Sequence, residues 1–108
     1  MNANNVKYLK ETYSKMFRGL EYFDVGDGWF HLIDELAKDI YTLETIPVCV
    51  QVKEKLGGLR VYMSYGSEDI HALVLKAQNQ SEKTCEVCGK SGKLIDSGWM
   101  RTRCEEHA

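Results

Sequence analysis

No uninterrupted apolar run in these 108 residues approaches the length that spans a bilayer. The opening Met1-Asn2-Ala3-Asn4-Asn5 has neither the basic start nor the apolar stretch of a secretory signal, so a cytoplasmic location is the expectation. A strong charge of either sign is also missing: 14 basic against 16 acidic side chains leave a formal net charge of -2. No overall field then draws the protein onto nucleic acid or an anionic membrane, and any such binding must come from a local patch. Internal repeats, low-complexity stretches and a long linker are absent, and proline occurs once, at Pro47. Cysteine occurs four times; three of the four fall in metal-ligand spacing, which in a reducing compartment favours a metal over disulfides.

What is present suffices for one modest core, with 44% hydrophobic and 28% charged residues. Val6, Leu9, Tyr13, Met16, Phe17 and Leu20 recur at helical steps and predict a first helix from Val6 to Leu20. The short polar and glycine residues Asp24 to Gly28 separate it from a second stripe, Trp29, Leu32, Ile33, Leu36, Ile40 and Leu43, for which Asp27 is the expected N-cap. Pro47 ends that region, and the period changes to two. Gly57-Gly58 reads as the turn of a β-hairpin whose core face collects Val50, Val52, Leu56, Leu59, Val61, Met63 and Tyr65. Glu54 is a misfit on that face. A third helix fits Glu68 to about Lys83. The expected fold class is α+β: two helices, a β-hairpin, a third helix and a C-terminal zinc-stapled hairpin, with a core at 1–83 and a zinc-binding module at 84–108 packed on it or hinged near Ser81-Glu82.

The strongest motif is Cys85-Glu86-Val87-Cys88-Gly89, followed by Cys104-Glu105-Glu106-His107. Two ligands three positions apart can bite one ion, and two such pairs complete a tetrahedron with no open position. Cys85, Cys88, Cys104 and His107 are therefore read as ligands of one structural Zn2+, with Glu105 or Glu106 as a substitute for His107. Between the pairs, Leu94 to Met100 has the build of a short hairpin, and the whole resembles a treble-clef or zinc-ribbon module.

Elsewhere the chemistry is sparse. Cys49 alternates with valines and reads as a packed small hydrophobe, His31 and His71 have no triad partners, and Asp27, Asp34 and Glu35 read as a cap and a solvated helix face. Leu56-Gly57-Gly58-Leu59-Arg60 lacks phosphate-loop spacing. No catalytic constellation emerges, so a non-enzymatic protein is expected. Lys53, Lys55, Arg60 and Tyr62 gather on the open face of the hairpin, where they either bind phosphates and stack a base or form the polar side of a two-faced sheet. Trp99, after Gly98 at a hairpin turn, is the candidate anchor for a protein partner, while Trp29 belongs to the core.

Gly26-Asp27-Gly28-Trp29 with Leu32-Ile33-Asp34-Glu35-Leu36, then Val52 to Tyr62, then the Cys85 to His107 tail with Gly98-Trp99, resemble a group of short phage- and prophage-associated proteins of unknown function. The resemblance covers residues 26–108 and implies a phage or bacterial origin and a zinc-bearing tail, but no activity. By analogy with other small proteins of mobile elements, the expected function is a protein-interaction module of the inhibitor, immunity or anti-defence kind. The alternative is a zinc-containing nucleic-acid-binding regulator.

Overall fold

The computed structural model describes residues 1–108. The fold is α+β, with four helices, a three-stranded sheet and a separate two-stranded hairpin. No helix is long and apolar enough to cross a membrane.

Helix α1 spans Ala3–Thr12 and opens on Asn2, whose side chain accepts the Asn5 N–H. The single first helix expected from the periodicity is in fact two pieces. Tyr13 leaves helical geometry (φ -120°, ψ 51°), and a short α2, Ser14–Phe17, follows. The break serves a tertiary contact, because the Tyr13 hydroxyl donates to Asp34 at 2.5 Å while its ring packs edge-on against Phe17 and Tyr41. Burial, followed by the Asp34 carboxylate, holds that hydroxyl protonated well above its ordinary range.

Strand β1, Phe23–Asp24, was not expected; two residues are too short to show alternation. A 3-10 turn, Asp27–Trp29, leads into α3, Phe30–Ile40. Asp27 is not the N-cap foreseen for this helix. Gly26 precedes the 3-10 turn, and the Asp27 carboxylate instead accepts from Asn2 N at 2.7 Å and Asn5 Nδ2 at 3.2 Å, tying the N-terminal segment to the α3 entry. Leu43, placed on the helical stripe, lies beyond the end of α3.

Strands β2, Cys49–Lys55, and β3, Gly58–Met63, form the antiparallel hairpin, and β1 joins β2 in parallel, Phe23 opposite Val52. The turn is Leu56-Gly57, one residue earlier than Gly57-Gly58, so Val52 opposes Val61 and not Met63. Both turn residues have positive φ, 53° at Leu56 and 81° at Gly57, as a type I′ hairpin requires. The Glu54 carboxylate accepts the Gly57 N–H at 2.8 Å, which explains the apparent misfit as a turn-closing acceptor.

An irregularity between Cys49 and Gln51 breaks the alternation. Cys49 turns fully inward, and Val50, assigned to the core face, is 57% exposed. Leu56 and Tyr65, also assigned there, are exposed at the hairpin ends, and Met63 is half-buried. Val52, Leu59 and Val61 do face the core.

Helix α4, Glu68–Ser81, is capped by Ser67 and packs against both α3 and β3. Eighteen buried residues from Leu9 to Ala77 form one core around Trp29, Phe17, Leu9 and Met16, each fully buried. Full burial of a large apolar side chain stabilises by roughly 1.5–3 kcal/mol.

Candidate metal centre

Past Ser81 the chain forms a knuckle, a hairpin and a helical turn. The knuckle closes where Gly89, with φ 83°, donates its N–H to the Cys85 carbonyl at 2.9 Å, and Cys85 N donates to Lys90 O at 2.8 Å. Strands β4, Lys93–Ile95, and β5, Arg101–Arg103, pair in antiparallel register, Lys93 with Arg103 and Ile95 with Arg101. Cys104 then begins a 3-10 turn, Glu105–His107, that brings His107 back over it. Knuckle, hairpin and a three-residue 3-10 turn follow one another in that order.

The ligand atoms of Cys85, Cys88, Cys104 and His107 all lie within 4.8 Å of one another, so the cluster could hold a metal ion. Cys88 and Cys104 sulfurs are 3.7 Å apart, and His107 Nδ1 stands 3.2 Å from Cys104 Sγ and 3.7 Å from Cys85 Sγ. These separations are far beyond a disulfide bond of about 2.05 Å, and all four cysteines of the chain are free. Glu105 and Glu106 are exposed and do not enter the cluster.

The electrostatics favour a thiolate at Cys85 and oppose one at Cys88. Burial pushes the Cys85 thiol up, but the backbone N–H groups of Cys104, Cys88 and Val87 aimed at its sulfur outweigh burial and bring it down to about 6. At Cys88 the Lys90 N–H lowers the value; desolvation and the neighbouring sulfurs of Cys85 and Cys104 prevail and raise it.

The knuckle is built into the core. Gly28 N–H donates to Glu86 O at 2.8 Å, Gly26 N–H to the Glu86 carboxylate at 2.9 Å, and the buried Trp29 indole N–H to Thr84 O at 2.8 Å. A Cβ on Gly28 would lie 2.0 Å from the Cys85 carbonyl oxygen, so the close approach requires glycine. Burial raises the Glu86 carboxyl despite the Gly26 donor. On the far side of the hairpin, Thr102, fully buried, donates its hydroxyl to Gly57 O at 2.6 Å, and Glu86 N–H donates to Thr102 O. The sequence holds a trace of this docking in Gly26-Asp27-Gly28-Trp29, which by itself reads only as a turn and a helix start.

The remaining candidates form two separate groups. Lys53 opposes Arg60 across the hairpin, and the Lys53 ammonium sits 5.8 Å from the Tyr62 ring centroid, so these three share a face; Lys55 opposes Gly58 at the tip end. Arg60 Nη1 and a Glu82 carboxylate oxygen both converge on Gly58, which places an acid beside this basic pair. Trp99 is 63% exposed, in contrast to the fully buried Trp29. The Arg101 guanidinium stacks 4.4 Å from the Trp99 ring centroid and donates from one nitrogen to Ser97 O and Trp99 O, and Arg103 lies 5.8 Å from the same ring. Arg101 and Arg103 are not among the residues singled out from the sequence. The available signal was their spacing, since Trp99, Arg101 and Arg103 alternate at strand period and so share one face.

No family model, no curated protein and no solved structure matches this chain.

Proposed function

We propose that the centre holds one structural Zn2+ and that the protein is a non-enzymatic binding module acting on another protein in a reducing, cytoplasmic setting. Tetrahedral coordination at a Zn–S distance of about 2.3 Å sets sulfurs about 3.8 Å apart, close to the separation of Cys88 and Cys104. Three sulfurs and one imidazole are a borderline-soft donor set suited to zinc, and they leave no position for an activated water, which supports a structural role.

The observation that carries the binding reading is Trp99. A chain able to bury Trp29 completely leaves Trp99 on the surface, held against Arg101, and tryptophan and arginine are the side chains enriched at the energetic centres of protein interfaces. An inhibitor or immunity-type protein acts through such an anchor. The test is capture of the partner with Trp99→Ala as the control. We expect the variant to keep its fold and its metal and to lose at least about 2 kcal/mol of binding, as a hot-spot residue does. Unchanged binding would remove Trp99 from the interface.

The nucleic-acid reading rests on a specific feature as well. Lys53 and Arg60 are like charges directly opposed, a mildly repulsive pair that an anion would relieve. Glu82 beside Arg60 and the net charge of -2 weigh against it. Sub-micromolar binding to RNA or DNA at physiological salt, lost on charge reversal at Lys53, Lys55 and Arg60, would establish it in place of the protein-binding reading.

A further inference from the structure

The outer face of the β4–β5 hairpin carries more unmet demand than any other surface of the molecule. Register places Lys93 beside Arg103 and Ile95 beside Arg101, so three cations, the Trp99 ring and one aliphatic side chain share this face. None of the three cations has a carboxylate within ion-pairing distance; the one ion pair in the chain, Lys7 with Glu11, lies on α1. Arg103 Nε is buried and has no hydrogen-bond acceptor within the chain, which leaves the guanidinium without an internal partner to hold it. Lys93, Ile95 and Arg103 also line an open hollow of about 460 Å³, whose other wall carries Glu105 and the C-terminal Ala108.

Arg101 is already positioned for recognition. One guanidinium nitrogen is occupied by Ser97 O and Trp99 O, which fixes the plane over the indole and leaves its other N–H groups for a ligand.

The tip of the main hairpin packs on the opposite face of β4–β5, where the Leu94 side chain meets Gly57 and the Thr102 hydroxyl donates to Gly57 O.

We propose that this surface docks an acidic segment of a protein partner, with carboxylates on Arg101, Arg103 and Lys93 and large apolar side chains against Trp99 and Ile95. The proposal rests on the protein-binding reading above. Charge complementarity selects the occupant. Three cations around a single ring, with one ring face covered by Arg101, suit a few carboxylates set among apolar side chains. A nucleic-acid strand needs a longer basic track and successive stacking rings.

The experiment uses the whole zinc-loaded protein and follows Trp99 fluorescence, with the buried Trp29 as constant background. The probes are a short peptide of aspartate, glutamate and leucine, its counterpart with asparagine and glutamine in place of the acids, and oligothymidylate of the same length. We expect saturable binding of the acidic peptide alone, weakened about tenfold by Arg101→Gln and again by Arg103→Gln. Lys93→Gln, at an exposed position on the same face, separates function from folding: it should leave the melting temperature unchanged while weakening the peptide. Two results overturn the proposal: no response to the acidic peptide, or tighter binding of oligothymidylate than of the peptide. If the peptide fails but a natural protein partner is still captured by the Arg101→Gln and Arg103→Gln variants, this surface is wrong and the protein-binding reading stands. If oligothymidylate prevails and no protein partner is captured, both fall.

Discussion

Cys49 is fully buried on β2, and burial pushes its thiol up to about 12, while the backbone donors around Cys85 bring that sulfur down to about 6. Thiolate is the reactive form, but reaction also needs access, and Cys49 and Cys85 are both fully buried whereas Cys88 is exposed and Cys104 half-buried. After chelation at neutral pH we expect the folded protein to be alkylated at Cys88 and Cys104, with Cys85 following only when the emptied centre opens, and to spare Cys49 until denaturant is added. Peptide mass mapping reads the outcome; rapid labelling of Cys49 in the folded state would contradict its placement. Asp27 gives a pH dependence. The Asn2 N–H, with the Asn5 side chain, holds its carboxyl below the ordinary value of 3.8. A depressed folded value stabilises the fold above the unfolded value and loses that contribution as pH falls through the folded one. Asp27→Asn should therefore lower the melting temperature near neutrality and narrow the gap to wild type in strong acid. An unchanged gap across that acid range would show that the Asn2 bond is not held in solution.

At the scale of elements, the joint between the 3-10 turn and the knuckle is the most demanding contact. Gly28→Ala would drive a methyl to 2.0 Å from Cys85 O and 2.6 Å from Glu86 O, and backbone cannot move aside as a flexible side chain can. We expect a loss of about 1–3 kcal/mol, the range for overpacking a filled site, and a weaker metal centre because Cys85 itself is displaced. Thermal melts and competition with a chromophoric chelator measure the two effects. Gly19→Ala, which would meet no atom within 4 Å, is the matched control. The hairpin shows how narrow the margin of a sequence reading is at this scale. Val52, Leu59 and Val61 were legible as core from their alternation, but Gly57-Gly58 offered two placements of one turn. The choice fell to Leu56-Gly57, closed by Glu54 and locked by the β4–β5 hairpin against Gly57. The bulge at Val50 was not legible, because a valine suits an inward position as well as an outward one.

Across the whole molecule, the main core closes without the metal ligands: its 18 buried residues end at Ala77. The centre meets that core through Trp29, whose indole N–H donates to Thr84 O. Removing the metal should therefore leave the far-UV helical signal largely intact at room temperature, lower the melting temperature and change the near-UV signal of Trp29. Circular dichroism with and without chelator decides it, and complete unfolding on chelation would show that the metal holds the entire fold.

The sequence alone determined the α+β class, the helical stripes of α3 and α4 and the four residues of the metal cluster. Each of these is written in local spacing: helical steps, alternation, and paired ligands three positions apart. Contacts distant along the chain were decided only by the tertiary structure. The break at Tyr13 answers to Asp34, the pairing of Phe23 answers to Val52, the turn at Leu56 answers to the β4–β5 hairpin, and Gly28 answers to Cys85. A residue's spacing shows which face it shares with its near neighbours, as for Trp99, Arg101 and Arg103, but not which distant surface that face will meet, and only the fold set Leu94 and Thr102 against Gly57.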